Sequence, residues 1–414
     1  MQTVSPSDPP LAALVRDHAR HFWAGTHPPF PAAAQNLLAR NNLRASPDHH
    51  RAYDVVWCYE TDLADVRPES QVIYLDELLR LLGADGRLVV KFREDRHFNL
   101  VKLKRFLGRH PFLDVAVEAE ISLPQYGWVT VYRVRRQHLA EYASSEWSLA
   151  ILTQGKKVAN VVGFLRSVRD QDPHRRHEII VCGPPHPEYE PFGVRTHTKA
   201  YSPVLADICT KKNDLADLAS KPNLLLVHDR YTLDPGFFDG FERYGHDFDF
   251  LTVPQRYETG EEFPAYVTMS KWRTEFIWRA PITLASYDRV YPLQYLNGGL
   301  LAVKTHTLRA LRLNELMFWN QAEDCEFAGW LQAHSLPPRV NPISRATVLG
   351  LTPAYTSTFV PEKPDDSEEE HNQPPPRGVR VWLRERFRTL VAAGVVVGLL
   401  SQAVIILLLL TGRR

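Results

Sequence analysis

The sequence predicts an α/β protein with two successive blocks of strands and helices, followed by a separate apolar segment near the C-terminal end. In residues 51–140, and again in 146–358, short apolar strand-like runs alternate with segments whose apolar residues recur at helical spacing. An uncharged apolar run occupies residues 390–410. At 414 residues the chain is longer than one hydrophobic core usually organises, which independently favours more than one domain.

The charge balance argues against a protein that binds nucleic acid through its overall field. Lysine and arginine total 49 and aspartate and glutamate 48, so the formal net charge is only +1. The four cysteines lie far apart and form no CxxC pair, which argues against a zinc ribbon and a disulfide scaffold alike. This cysteine usage fits a reduced, cytoplasm-like compartment.

The first block begins after residues 1–50, a proline-containing segment that we expect to be irregular. It contains an apolar run over 53–57, the helical pattern QVIYLDELLRLLG, a glycine-containing turn at ADG and the strand-like segment RLVVKF. The segments AVEAEISL and GWVTVYRVRR then alternate apolar and polar residues, which predicts an antiparallel hairpin.

This order resembles the second half of a class I methyltransferase fold, a Rossmann-like fold, over roughly residues 50–136. The resemblance implies a glycine-rich first turn that holds S-adenosylmethionine, because only glycine lets the backbone approach such a ligand closely. Residues 1–50 contain one glycine, Gly25, and no GxG. We therefore expect a partial domain with a structural or docking role, and no S-adenosylmethionine as cofactor.

The second block opens with the apolar run WSLAIL, a turn, and a helical segment with apolar residues every three or four positions. A later run, NLLLV, is continuously apolar until it meets His228 and Asp229, as expected for a central parallel strand. Ligands of open α/β sheets bind at the carboxyl ends of the strands. His228 and Asp229 are therefore candidate site residues.

Several stretches in order resemble family 2 glycosyltransferases with the GT-A fold, over about residues 148–353. LAILTQGKKVANVVGFLRSVRDQ is similar to the opening strand, nucleotide loop and first helix, and HEIIVCGP to the second strand. ICTKKNDLADLA resembles the helix before the metal strand, and VHDRYTLDPGFFDGF stands at the DxD signature. YLNGGLLAVKTHTLRAL and FWNQAEDCEFAGWLQAHSL match the acceptor strand and the acidic motif that supplies the base.

The resemblance implies an inverting transferase that uses a nucleotide sugar, in which a cation neutralises the leaving diphosphate and a carboxylate takes the acceptor proton. It assigns Asp324 as the base with Glu323 orienting it, and Asp229 as ligand of a divalent metal, Mg or Mn. The implied nucleotide-sugar residues are Thr153, Gln154, Lys211, Lys212, Asn213, His228 and Arg230, and the implied sugar and acceptor pocket contains Gly298, Gly299 and Trp272.

Two positions depart from the family pattern. The motif reads His228, Asp229, Arg230, so either Asp229 with water holds the metal, or Arg230 and neighbouring lysines partly replace it by contacting phosphates directly. The turn after HEIIVCGP lacks the usual aspartate that contacts the base or ribose. Asp214 or Asp217 are the candidates to supply that contact, and the donor base stays open.

The C-terminal region predicts a membrane anchor. Residues 361–376 form an acidic, proline-rich linker, 377–389 an arginine-rich juxtamembrane segment suited to anionic lipid, and 390–410 a span long enough for a bilayer. The positive charges before the span place the N-terminal body in the cytoplasm. We expect a single-pass protein of a bacterial inner membrane that extends a lipid-linked saccharide in surface-polysaccharide assembly, a role that follows from location.

Two other functions remain open from the sequence. The altered motif and the glycine-poor N-terminal segment also fit a catalytically weakened scaffold of a glycan-assembly complex. A true methyltransferase would need the GxG turn that residues 1–50 lack. No nucleic-acid partner is expected, and the sequence does not predict an oligomeric state.

Overall fold

The computed structural model describes residues 11–16, 19–124, 127–202, 206–269, 282–284, 286–290, 294–318 and 321–353. In the N-terminal part the elements are α1 (Leu11–Arg16), β1 (His21–Trp23), β2 (Ala33–Ala34), β3 (Tyr53–Cys58), α2 (Gln71–Leu81), β4 (Leu82–Arg93), α3 (Leu100–Arg109), β5 (Leu113–Leu123), β6 (Gly127–Arg136) and α4 (Leu139–Ala143). Short 3-10 turns lie at Leu37–Ala39, Asn41–Leu43 and Pro47–His49.

The remaining elements begin at residue 147. They are β7 (Trp147–Leu152), α5 (Val158–Arg169), β8 (Glu178–Cys182), β9 (Arg195–His197), α6 (Ile208–Leu218), β10 (Asn223–His228), β11 (Tyr231–Leu233), α7 (Phe237–Tyr244), β12 (Phe250–Thr252), β13 (Gln255–Tyr257), β14 (Glu262–Phe263), β15 (Tyr266–Met269), β16 (Ile282–Leu284), β17 (Gln294–Leu296), β18 (Leu300–Lys304), α8 (Thr305–Ala310), α9 (Glu323–Ala333), β19 (Arg339–Val340) and β20 (Ala346–Val348). A further 3-10 turn spans Pro187–Phe192.

The first sheet has the strand order β2-β1-β3-β4-β6-β5. Strands β1, β3 and β4 are parallel, whereas β6 is antiparallel to both β4 and β5, so the hairpin expected from the alternating pattern forms. Two expectations are corrected. The segment 1–50 is not wholly irregular, because β1 and β2 lie in this sheet, and the ADG residues lie inside β4 rather than in a turn.

The second sheet has the order β19-β12-β18-β10-β7-β8-β9. From β7 the chain moves outward through β8 and β9, all parallel, and then returns to place β10 on the other side of β7. Strand order therefore reverses between β7 and β10. In open α/β sheets the crevice outside the carboxyl ends of two such strands is where ligands bind.

Two smaller sheets lie beside the second sheet, in the orders β11-β20-β13-β14 and β16-β15-β17. Apolar side chains from both faces of the second sheet form separate core clusters, one around Phe164 and Phe241 and the other around Leu224 and Phe327. The sheet is therefore covered on both faces, as expected for its apolar central strands.

Buried ion pairs join the two large sheets through α2. Arg80 of α2 bonds to Asp76 of the same helix and also to Asp247 and Asp249, which precede β12. Arg339 of β19 reaches back to Asp76 at 2.9 Å, and to the next carboxylate of α2 at 2.7 Å. All these side chains are nearly inaccessible to solvent. The halves of the molecule are thus connected by desolvated charges as well as by apolar packing.

Among the residues that the structure describes, no helix has the length and apolar character needed to cross a membrane. The linker, juxtamembrane segment and span expected over 361–410 lie outside the described residues and stay predictions.

Replacing Asp247 by asparagine is expected to destabilise the protein by about 3–5 kcal/mol, because a buried ion pair that loses one partner leaves charge uncompensated. Asp247 accepts hydrogen bonds from Arg51, Arg80 and Arg136 and is fully buried. Burial alone would raise the pKa of Asp247, but Arg136 and Arg80 hold it well below its usual value. Denaturant unfolding measures the effect. Asp85→Asn, whose pair is 41% exposed, should cost below about 1 kcal/mol, and equal losses would contradict the prediction.

Stability is expected to fall between pH 7 and pH 5 because several histidines are buried in their neutral form. Burial lowers the pKa of His110 to about 4, whereas the unfolded value is about 6.5. Between these values the unfolded chain binds more protons, so the free energy of unfolding rises with pH, by about 2 kcal/mol for one such histidine over this interval. The free energy of unfolding, measured at several pH values, should therefore rise less steeply with pH in His110→Asn than in His27→Asn, a control at an exposed histidine.

Candidate functional site

The carboxyl ends of β7 and β10 are joined by hydrogen bonds at the point where strand order reverses. Thr153 Oγ1 donates to Asp229 Oδ2 over 2.8 Å, and the amide of Asp229 donates to the carbonyl of Leu152 over 3.0 Å. Asn160 of α5 donates to the carbonyl of Asp229 over 3.1 Å. The first turn of the second sheet, its first helix and the HDR turn therefore meet at one place.

The loop between β7 and α5 is held in a tight conformation by close backbone packing. The amide of Gly155 donates to Thr153 Oγ1 over 3.0 Å, and Gly155 has φ +79°. A Cβ on Gly183 would lie 2.5 Å from the carbonyl oxygen of Thr153. The Gly183 and Pro184 pair, which replaces the expected acidic turn, thus lets the second strand's turn pack against this loop. Gln154 is exposed beside it.

The acidic pair at the start of α9 lies against the glycine turn, Gly298 and Gly299, which directly precedes β18. The amide of Gly298 donates to Asp324 Oδ2 over 3.0 Å, and the amide of Cys325 donates to Oδ1 over 2.9 Å. Lys212 Nζ donates to the carbonyl of Gly298 over 3.0 Å and lies 3.6 Å from Glu323 Oε1. Both predicted acidic residues are therefore brought to Gly298 and to a lysine of α6.

The environment of Asp324 suits a group that exchanges a proton near neutral pH. Burial raises the pKa of Asp324 to about 6, and the adjacent Glu323 carboxylate raises it as well, while Lys212 opposes the shift. A general base works best when its pKa is near the working pH. Two hydrogen bonds to backbone amides fix the orientation of the carboxylate.

Gly298 and Gly299 are closely surrounded by other side chains. A Cβ on Gly298 would lie 3.2 Å from Lys212 Nζ and 3.3 Å from Asp324 Oδ2, and one on Gly299 would lie 2.7 Å from the hydroxyl of Tyr231. The carbonyl of Gly299 also accepts a hydrogen bond from the amide of His228 over 2.9 Å. This bond places the HDR turn next to the glycine turn, which contacts Asp324.

Basic side chains gather around the HDR turn. Burial lowers the pKa of His228 well below its usual value, and the positive charges of Lys212, Arg230, Lys211 and Lys157 lower it further. Lys212 is fully buried, whereas Lys211 is half-buried and lies 5.1 Å from the ring centre of Tyr201. The turn is therefore an electropositive site suited to phosphate groups.

Some predicted residues have other places. Asn213 does not face the nucleotide region: its amide donates to the carbonyl of Leu313 and to Glu315, each over 2.9 Å, and its oxygen accepts from the amide of Leu313, because this face of α6 packs against that loop. Asp214 pairs with Lys199 over 2.7 Å, and Asp217 with an exposed arginine over 3.0 Å. Trp272 lies outside the described residues.

The sequence analysis missed Lys157 and Asn160. Lys157 precedes α5 directly, and Asn160 lies in its first turn, where it reaches the carbonyl of Asp229. Their position just after the first strand of an open sheet was the available signal, since phosphate groups bind at helix N-termini that follow such strands.

The fit of a metal ion can be tested at two places. Among the described residues, Asp229 belongs to no group of three or more side chains that could bind one metal ion. Such a group is formed by Asp76, His110 and Asp249, whose ligand atoms lie within 4.8 Å of one another. By distance this cluster is consistent with a divalent ion. Both carboxylates, however, already accept hydrogen bonds from Arg80. The cluster also lies between the sheets and not at the HDR turn.

No protein-family model matches the sequence, and no curated protein matches it either. Among solved structures, S. aureus TarS 1–349 is 14% identical with a TM-score of 0.35, over 52% of this chain and 69% of that chain. GalNAc-T7 with UDP, GalNAc and Mn2+ is 11% identical with a TM-score of 0.38, over 51% and 48%. The mannosyltransferase PcManGT from Pyrobaculum calidifontis, in complex with GDP-Man and Mn2+, is 10% identical with a TM-score of 0.35, over 51% and 59%. Identities and scores this low establish no family membership.

Lys212→Met is expected to raise the pKa of Asp324 above about 6, because the substitution removes the positive charge that opposes the effects of burial and of Glu323. Carbon-13 NMR of the aspartate carboxyl groups across a pH series measures this shift. Lys211→Met is the matched control, since the neighbouring lysine does not contact this group. An Asp324 pKa that is unchanged or lower in Lys212→Met, with the fold intact, would contradict the prediction.

Proposed function

We propose that the protein is a glycosyltransferase with a GT-A type domain that transfers a sugar from a nucleotide sugar to an acceptor hydroxyl with inversion. The observation that carries the proposal is the meeting of two groups at one sheet edge. A carboxylate with a raised pKa, Asp324, and an electropositive turn around His228 are connected through the adjacent Gly298 and Gly299. A base and an anion site so placed suit displacement of a nucleoside diphosphate.

The transfer is a single displacement at the anomeric carbon. The acceptor oxygen forms a bond to that carbon while the bond from the carbon to the β-phosphate oxygen breaks, and the acceptor proton passes to Asp324. The negative charge that develops on the diphosphate is stabilised by the basic side chains at the HDR turn. Attack from the face opposite the leaving group inverts the anomeric centre. Glu323 lies 3.6 Å from Lys212 Nζ and raises the pKa of Asp324, which favours uptake of the acceptor proton.

The acceptor is proposed to enter through a cavity of about 520 Å³ beside this edge, lined among others by Arg40, Thr252, Tyr266 and Tyr287. β12 is parallel to β10, because both are antiparallel to β18, so Thr252 lies at the same carboxyl edge as the HDR turn. Ala265, also in the lining, accepts a hydrogen bond from the amide of Asn297 over 3.0 Å. Aromatic rings with polar neighbours suit a saccharide.

The wider setting belongs to the same proposal. The predicted C-terminal anchor would confine the enzyme to the cytoplasmic face of a membrane, where a lipid-linked saccharide is also confined, and tethering raises their encounter concentration without any new contact. The N-terminal sheet, whose strand order supports a partial methyltransferase-like domain, is proposed to support the transferase through the buried ion pairs of α2.

A scaffold without catalysis is the second candidate, and one observation favours it. Asp229 is a single carboxylate that already accepts a hydrogen bond from Thr153. A scaffold would retain the fold and the ion pairs but would have no need for a base with a raised pKa.

Asp324→Asn is expected to lower the rate of sugar transfer by about 10²–10⁴-fold, because an amide cannot accept the acceptor proton. Donor binding should change little, since Asn retains an oxygen that accepts from the Gly298 amide. Transfer is measured by release of nucleoside diphosphate in the presence of an acceptor, and donor binding by calorimetry. Asp217→Asn on the surface of α6 is the control. Equal rates in wild type and Asp324→Asn would exclude this base, and transfer by neither would favour the scaffold.

A further inference from the structure

We infer that the nucleoside diphosphate is held by arginine and lysine side chains at the HDR turn and not through a divalent metal. This inference rests on the proposed function and concerns how the same site binds its donor. It departs from the metal that the family resemblance implies at Asp229, because the residues at this turn fit an anion better than a cation.

The HDR turn carries positive charge that no carboxylate among the described residues neutralises. Lys157, Lys211 and Arg230 have no carboxylate partner among the described residues, although arginines elsewhere in the same ranges repeatedly form ion pairs. The Nε atom of Arg230 is buried and has no hydrogen-bond partner in the described part of the chain. A buried donor without a partner is costly, and the oxygen atoms of an anionic group would satisfy it.

Hydrogen bonds between neighbouring elements bring these cations together. Lys157 precedes α5, which is fixed to the turn by the 3.1 Å bond from Asn160 to the carbonyl of Asp229. Lys211 stands next to Lys212, whose Nζ lies 3.0 Å from the carbonyl of Gly298. The HDR turn and the glycine turn are joined by the hydrogen bond that the His228 amide donates to the carbonyl of Gly299. All of these cations are near enough to His228 to lower the pKa of its imidazole, so three separate elements bring positive charge to the HDR turn.

The HDR turn offers few ligands for a divalent metal ion. Mg2+ and Mn2+ are held by several oxygen ligands, usually with one or two carboxylates beside the substrate phosphates. Asp229 is the one carboxylate of the turn, and its Oδ2 accepts the hydroxyl of Thr153 over 2.8 Å. A divalent ion here would also face the positive charges around His228, which repel it.

The carboxylate and the basic side chains of this site therefore have different roles. Asp229 acts as a positioning residue that holds the loop after β7 through Thr153, while Arg230 and Lys211 contact the phosphates. Arginine gives paired donors that match phosphate oxygens, and it keeps its charge at every physiological pH. No bond other than that of the sugar transfer itself is formed or broken by this arrangement.

The test is calorimetric binding of UDP, GDP and dTDP to the full-length protein in detergent, once with a chelator and once with Mn2+. We expect one nucleotide to bind with the same affinity in both buffers. Arg230→Gln should weaken that binding about 10- to 100-fold in both buffers. Lys211→Gln, at a half-buried position on another element, should weaken it in the same sense and serves as the second variant if Arg230→Gln does not fold. Arg312→Gln, a surface arginine on another face, is the control.

Asp229→Asn separates the two mechanisms. Under our inference, the ratio of affinities with Mn2+ and with chelator stays near one in this variant, as in wild type. Binding that requires Mn2+ in wild type and disappears in Asp229→Asn would overturn the inference while leaving the proposed function in place. Failure of the folded wild-type protein to bind any of the nucleotides in either buffer would overturn both.

Discussion

The buried ion pairs between α2 and the second sheet hold the two halves of the molecule in one arrangement. Arg80 and its carboxylate partners have lost their hydration, so the cost of burying each charge is offset only while its partners stay in place. A small displacement of either half would leave several charges uncompensated at once. Asp249 directly precedes β12, and Arg339 lies in β19. Both strands border the cavity, at Thr252 and Val340, so the same ion pairs help to position its walls.

Two opposite electrostatic environments lie side by side at the carboxyl edge of the second sheet. Around Asp324, burial and a neighbouring carboxylate favour the protonated form, so the group can take up a proton at ordinary pH. Around His228, positive charges favour an anion. Gly298 and Gly299 lie between them, and space is tight at both: a Cβ on Gly298 would lie 3.3 Å from Asp324 Oδ2, and one on Gly299 would lie 2.7 Å from the hydroxyl of Tyr231. Under the proposed function, the diphosphate would lie in the positive environment, the acceptor hydroxyl beside Asp324, and the donor sugar between them.

Local patterns predicted much of this arrangement, because continuous apolar runs identify central strands and the polar residues that follow them identify the binding edge. The pattern could not predict how distant segments pair: β1 joins the first sheet although its surroundings look irregular. Nor could it separate neighbours on one helix. Lys212 and Asn213 are adjacent on α6, yet only packing directs one to Gly298 and the other to Leu313. Full burial of a lysine is rare enough that composition argues against it.

The connection between Glu77 and Arg339 has a consequence for the order of synthesis. These partners are 262 residues apart in the chain. At about 5–20 residues per second, the ribosome therefore adds Arg339 roughly 10–50 s after Glu77 has been made. Until then Glu77 has only its nearby side-chain partners, Arg44 and His50. The N-terminal half is thus translated first but completes its buried ion pairs only after nearly the whole second sheet has been made.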